Sequence, residues 1–210
     1  MTTNADLRDL EERPKRYWNV DGIPELMMGL VWMLWGGALI LGESLPKDRG
    51  HGWYWMVVPA ALVLSGFASN WATKKLKEKL TYPRTGWVEM KEPGRGVRLM
   101  AAGIAVVSAG ALALMIVAGK AEGMEHTATP SIGLVLSLAF VVASVRQKAP
   151  HMLALAGVAL VLGFTFGMMK LGWTSLGWMF LWLGLAAALL GGWRLRRYLA
   201  ANRMPEGSSL

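Results

Sequence analysis

The sequence predicts an all-α integral membrane protein, a bundle of six transmembrane helices with cytoplasmic N- and C-termini. Six apolar stretches, an uneven distribution of Lys and Arg, and aromatic residues at the ends of the stretches support this fold class. The stretches cover 24–42, 52–72, 98–119, 130–146, 151–169 and 172–193. Each is close to the roughly 17–25 residues that a helix needs to cross the hydrocarbon layer.

The distribution of positive charge predicts the orientation. If the N-terminus is cytoplasmic, only four of the 22 Lys and Arg residues fall on the outer side: Lys47, Arg49, Lys120 and Lys170. Cytoplasmic loops of membrane proteins carry the excess of Lys and Arg. Both termini are therefore expected in the cytoplasm, where the net charge of +8 would face anionic lipid headgroups rather than nucleic acid.

The N-terminal half is expected to begin with a cytoplasmic amphipathic segment, residues 1–22, that lies along the membrane surface. The first two transmembrane helices follow within 23–72, the first entered at the sequence DGIPE, where Pro24 suits a helix start. Pro59 is expected to kink the second helix. That helix then leaves the membrane into the basic stretch that ends at Lys79.

A long basic loop, residues 73–97, is expected on the cytoplasmic side. Its Pro and Gly residues argue against a continuous helix, and Trp87–Met90 suits a short strand. Transmembrane helices 3–6 are expected within 98–193, and a basic cytoplasmic tail within 194–210. Helices 4, 5 and 6 should be antiparallel neighbours because their connections are short.

Glycine spacing predicts which helix faces pack closely. Glycines recur every seven residues in and before the first helix (Gly22, Gly29, Gly36) and in the sixth (Gly177, Gly184, Gly191), and Gly163 and Gly167 form a GxxxG pair in the fifth. Small residues let helix backbones approach in lipid. These faces suit packing within the chain or, alternatively, a homodimer formed through helix 1 or helix 6.

Asp21 and Glu25 are the most suggestive acidic residues, because a spacing of four places both on one face at the entrance of helix 1. One interpretation is a proton or cation site at a cytoplasmic vestibule. The alternative is a structural clamp in which the acids pair with Arg84, Arg95 or Arg98 from the basic loop.

The segment from Tyr82 to Trp87 is a second candidate. Arg84 between these two aromatic residues suits the phosphate of an anionic lipid, with the rings at the interface. A rigid turn docked by Arg84 explains the same residues.

Four tryptophans lie in the interior of predicted spans, away from the span ends: Trp32, Trp35, Trp178 and Trp182. They suit the wall of a cavity for an apolar or cationic ligand. Packing against the glycine faces, or contact with lipid, is the alternative.

Enzymatic chemistry is not expected. Cysteine is absent, which excludes disulfides, thiolate metal sites and cysteine nucleophiles. No HExxH spacing, nucleotide-binding glycine loop or intramembrane catalytic pair is present in the sequence. We therefore predict no cofactor, no metal site and no nucleic-acid partner.

The DG-x-x-E entry of helix 1 (Asp21, Gly22, Glu25) and the YPR-x-G-aromatic-Val loop that begins at Tyr82 resemble a group of uncharacterised bacterial polytopic membrane proteins. Trp87 stands where that pattern has Tyr. The resemblance covers about a quarter of the chain. It implies a multi-pass protein of the bacterial cytoplasmic (inner) membrane and implies no activity.

Two functional classes fit this sequence. The first is a transporter or channel-like protein for a small solute or ion, with Asp21 and Glu25 near its inner mouth. The second is a non-catalytic accessory or scaffold subunit that binds a partner protein or anionic lipid through loop 73–97. Transport requires a hydrated path from Glu25 towards the centre of the bundle, whereas a scaffold has a dry interior.

Overall fold

The computed structural model describes residues 20–46, 49–85, 124–147, 149–169 and 171–202. This part of the chain is helical throughout and contains no strand. Its helices are α1 (Ile23–Ser44), α2 (Arg49–Leu80), α3 (Tyr82–Thr85), α4 (Met124–Gln147), α5 (His151–Met168) and α6 (Trp173–Ala201). Five helical segments are long and apolar enough to cross a membrane: Ile23–Ser44, Trp53–Arg84, Thr127–Val145, His151–Met168 and Trp173–Ala201.

The all-helical class is therefore confirmed, and five of the six predicted stretches are helices of crossing length. The stretch 98–119 and the possible strand at Trp87–Met90 lie outside the described residues. As expected, α2 continues through the basic stretch, to Leu80, so the first residues of the predicted loop 73–97 are helical; a short helix follows at Tyr82–Thr85. Pro59 lies inside α2 without ending it.

The start of α1 follows from the sequence Asp21-Gly22-Ile23-Pro24. Gly22 adopts a left-handed conformation (φ 75°), which glycine reaches without steric strain. The backbone N–H of Ile23 donates to Asp21 Oδ1 at 3.2 Å, and Pro24 in the first turn needs no hydrogen-bond partner for its nitrogen. The first turn is thus fixed before any contact with another helix.

The two seven-residue glycine rows pack against each other and join α1 to α6. Gly22 lies against Gly191, Gly29 against Gly184, and Gly36 against Gly177, so the two helices are antiparallel. A Cβ atom added to Gly36 would lie 2.5 Å from the carbonyl oxygen of Gly177, which leaves no room for a side chain. Both faces are filled within one chain, which is the first of the two alternatives, and the homodimer stays a prediction.

The GxxxG pair of α5 is also used inside the chain. Gly163 packs against Gly133 of α4, and Gly167 packs against the ring of Pro130, which makes α4 and α5 an antiparallel pair. Apolar side chains of α4, α5 and α6 fill the core between them, including Phe140, Leu155 and Leu183.

One end of the bundle collects the start of α1, the end of α2, the start of α5 and the end of α6. Contacts of Asp21 with Lys77, and of Glu25 with His151 and Arg194, hold these helix ends together. We call this end the basic end, because it also carries Lys74, Lys75, Lys79, Arg84, Arg196 and Arg197.

Glycine pairing gives a test that uses neighbouring residues. Gly36→Ala places a methyl group against the backbone of α6, and overpacking of this kind typically costs about 1–3 kcal/mol. Gly37→Ala is the matched control, because nothing lies within 4 Å of the added Cβ. We expect thermal unfolding in detergent micelles to show a lower midpoint for Gly36→Ala only. Equal midpoints for the two variants would contradict the interlocked glycine rows.

Candidate functional site at the basic end

Asp21 forms a buried ion pair with Lys77 of α2. Lys77 Nζ lies 2.7 Å from Asp21 Oδ2, and Thr81 Oγ1 donates to the same oxygen at 2.9 Å. Asp21 is fully buried and Lys77 is 1% exposed. With Ile23 N–H on its other oxygen, the Asp21 carboxylate has donors on both sides and ties α1 to α2.

Glu25, one turn further along α1, makes a separate cluster with α5 and α6. Its Oε1 lies 2.6 Å from His151 Nε2 and accepts a hydrogen bond from Arg194 Nη1 at 2.7 Å. His151 Nε2 also lies 2.5 Å from Arg194 Nη1, so the tautomer of His151 decides whether this nitrogen donates to Glu25 or accepts from Arg194. Glu25 is fully buried, whereas His151 and Arg194 are partly exposed.

Asp21 and Glu25 therefore share a helix end but not a binding site. Each acid has its own basic partner, so the basic end holds two neutral pairs in place of one acidic vestibule. Burying a charge is tolerated when it is paired and hydrogen-bonded. The geometry is that of a clamp between four helix ends.

Of the clamp partners expected from the sequence, Arg84 is the one that lies within the described residues. Arg84 does not reach either acid: its Nη1 donates to the backbone carbonyls of Leu199 (3.0 Å) and Asn202 (2.7 Å). These carbonyls lie at the end of α6, where the negative end of the helix dipole also stabilises a cation. Arg84 thus docks α3 on α6. Arg95, Arg98 and Trp87 lie outside the described residues.

In this geometry Arg84 acts as a clamp, and its lipid contact stays a prediction. Within the described part of the chain, its Nε is buried and has no hydrogen-bond partner. Tyr82, which begins α3, is half-buried.

The four candidate cavity tryptophans divide into two groups. Trp32 packs edge-on against Phe140 and Phe180, with ring centroids 5.5 and 6.3 Å apart. Trp35 packs on Phe180 and donates from Nε1 to Ser65 Oγ at 3.1 Å. Trp178 and Trp182 are 36% and 46% exposed. The first pair packs against other aromatic rings and the second faces outward, so the four do not share one cavity wall among the described residues; a cavity beside either pair stays a prediction.

Sequence reasoning missed Lys77, Thr81, His151 and Arg194 as site residues. A signal existed for α2, because Thr73, Lys77 and Thr81 repeat every four residues and all three are buried on one face. A signal also existed for α6. Arg194 follows Gly191, the last glycine of the row, by three residues and therefore lies on the same helix face. The partner of His151 could not be read from one sequence.

Among the described residues, no three His, Cys, Asp or Glu side chains converge as metal ligands would. Lys77 Nζ and Arg194 Nη1 stand at hydrogen-bonding distance from the carboxylates, where a bound cation would otherwise sit. Each carboxylate thus already has a positive group as its partner.

No protein-family model, curated protein or solved structure matches this chain significantly. The chemistry of the basic end therefore has to be inferred from the contacts and charges of the chain itself.

The Asp21–Lys77 pair predicts strong coupling between its two members. Lys77→Met leaves a buried, uncompensated carboxylate, and breaking one side of such a pair costs roughly 3–5 kcal/mol. Asp21→Asn in the same chain should recover part of this loss, because Asn is uncharged and its Oδ1 can still accept from Ile23 N–H while its Nδ2 donates to Thr81 Oγ1. A double-mutant cycle of thermal or denaturant unfolding measures the coupling.

Lys79→Met is the control for that cycle, because Lys79 is exposed on the same helix and should change stability by no more than about 0.5 kcal/mol. Additive effects of the Asp21 and Lys77 substitutions would show that the pair is not formed.

Proposed function

We propose that this chain is a non-enzymatic accessory or scaffold protein of the bacterial cytoplasmic membrane, crossing it six times with both termini inside. The observation that carries the proposal is the complete burial and pairing of Asp21 and Glu25. Acids committed to structural partners at a packed helix junction are suited to hold a surface in shape, and the basic end is that surface.

Exposed apolar side chains support the membrane location. Large hydrophobic residues face outward along the helices, among them Leu34 (66%), Phe67 (72%) and Val145 (73%). Soluble monomers rarely expose apolar surface on this scale. In a bilayer the same residues contact acyl chains.

The positions at which the described helices start and end support the proposal of an even number of membrane crossings. α2 ends at the basic end, whereas α4 must start at the opposite end because its own end leads into His151. Thr85 and Met124 therefore lie at opposite ends of the described helices, and we propose one further crossing between them. This agrees with the crossing expected from the apolar stretch 98–119.

Positive charge supports a cytoplasmic basic end, since Lys and Arg concentrate on the inner side. The cysteine-free chain allows a direct test with single-cysteine variants. Lys79→Cys lies at the basic end and Ser44→Cys at the other end of α1, and both positions are exposed. In intact spheroplasts, a membrane-impermeant maleimide should label only Ser44→Cys.

Permeabilising the membrane should make Lys79→Cys reactive, which shows that the thiol was shielded by sidedness and not by burial. Labelling of Lys79→Cys in intact spheroplasts would overturn the orientation.

The packing near Glu25 favours the scaffold proposal and argues against a pore. Residues further along α1, such as Met28 and Trp32, pack on the apolar core formed with α5 and α6. The glycine contacts between α1 and α6 leave no gap along that seam. In the part of the chain described, Glu25 thus borders packed apolar side chains towards the centre.

Transport of a proton or small cation is the second candidate, and one atom favours it. Glu25 Oε2 is buried and, among the described residues, accepts no hydrogen bond. A proton on that oxygen, relayed by His151 at the partly exposed rim, would be the first step of an inward path. The other oxygen of Glu25 would remain bound to Arg194.

Glu25→Gln separates the two candidates. A scaffold gives no proton flux above protein-free liposomes, and the substitution then only lowers stability, by about 3 kcal/mol, because Arg194 loses its buried partner. Flux is measured with a pH-sensitive dye in proteoliposomes under an imposed potassium gradient.

Glu43→Gln, at the opposite end of α1, is the matched control for loss of one acid. Proton uptake by the wild-type protein that disappears in Glu25→Gln and persists in Glu43→Gln would establish transport and refute the scaffold.

A further inference from the structure

A pocket of about 290 Å³ opens at the basic end beside the last turns of α6. Val20, just before α1, forms one side, and residues of α6 and its end form the rest: Trp193, Arg194, Arg197, Tyr198 and Asn202. The volume is close to the lower limit of small-molecule sites in proteins. It can accept one small polar group with a short apolar attachment.

Arg197 is the charged group that this pocket offers. Its guanidinium lies over the ring of Trp193 at 5.8 Å, which is a cation–π contact. No hydrogen bond or ion pair engages it within the described residues. The other arginines nearby are committed, Arg194 to Glu25 and Arg84 to the carbonyls at the end of α6.

The remaining walls select an amphiphile over a free anion. Trp193 is 59% exposed and Val20 is 45% exposed, so apolar surface borders the guanidinium on two sides. An arginine binds a phosphate through paired, charge-assisted hydrogen bonds. Tryptophan is the residue most typical of the headgroup layer. The combination therefore matches a phosphate joined to apolar chains.

We propose that this pocket binds the phosphate of an anionic phospholipid of the cytoplasmic leaflet. Arg197 holds the phosphate, and Trp193 and Val20 contact the glycerol region. This proposal rests on the membrane orientation proposed above. It adds a lipid contact at Arg197, near the end of α6 on which Arg84 docks.

Arg84 has a positioning role in this arrangement. It donates to the carbonyl of Asn202, and Asn202 lines the pocket. The clamp between α3 and α6 thereby fixes one wall of the lipid site. Arg194 lines the same pocket and bonds with Glu25, so the bound phosphate would lie one side chain away from the buried acid.

Native mass spectrometry of the full-length protein in detergent, titrated with phosphatidylglycerol or phosphatidylcholine, tests the site. We expect preferred binding of phosphatidylglycerol. Arg197→Gln should weaken the tightest phosphatidylglycerol binding about tenfold, the usual effect of losing one charge-assisted contact. Arg196→Gln is the matched control, because Arg196 is exposed on the same turn but does not line the pocket.

A loss confined to Arg197→Gln supports the site. Equal losses in the two variants, or equal affinity for the two lipids, would mean only diffuse attraction to a basic surface and would overturn it. Inorganic phosphate at the same concentration as the lipid should not displace phosphatidylglycerol, and displacement would assign the pocket to a free anion instead. None of these results depends on whether the protein carries solutes, which the proton-flux measurement decides separately.

Discussion

The close approach of two backbones, α1 and α6, is the constraint on which the described structure depends. Three glycines on each helix, spaced by seven residues, meet in antiparallel order with no space for a Cβ atom between them. In lipid, apolar side chains gain little by leaving one apolar environment for another, so dispersion contacts between closely packed helices have to supply the association energy. Such contacts are short-ranged, so a small shift of one helix along the other would weaken them.

That register determines the chemistry of the basic end. Pairing of Gly22 with Gly191 places Arg194, less than one turn beyond Gly191, directly over the start of α1, where its Cβ would lie 2.8 Å from a Cβ on Gly22. Glu25 and Arg194 lie in opposite directions from their glycines along the antiparallel pair, and the long Arg194 side chain spans this offset to reach Glu25. The ion pair is thus a consequence of the glycine packing. A helix pair sliding by one turn would separate the two charges and leave each without its partner.

The sequence predicted the features that depend on local patterns and missed those that depend on distance in space. Helix positions, the glycine faces and the importance of Asp21 and Glu25 could be inferred, since hydrophobic length, a repeat of seven and a spacing of four are all local. The partners of the acids could not. Arg84 and Lys77 are both basic residues in or next to α2, and only the direction of the α2 face towards α1 distinguishes the buried Lys77 from Arg84, which reaches α6. For the same reason the sequence could not separate the packed tryptophans from the exposed ones. Trp35 and Trp178 have similar sequence surroundings and differ in which neighbour covers them.

The two acids also differ in when a partner can reach them as the chain is made. Asp21 is paired with Lys77, 56 residues later, in the next long helix. Glu25 has to wait for His151 and Arg194, which follow it by 126 and 169 residues. An unpaired carboxylate at the membrane is costly, so α1 is expected to stay near the headgroup layer, where water can solvate Glu25, until α6 arrives. Because α6 carries both Arg194 and the second glycine row, the charge of Glu25 is paired at the same time as α1 and α6 pack together. Among the described helices, α1 therefore gains all its partners only when α6 is in place.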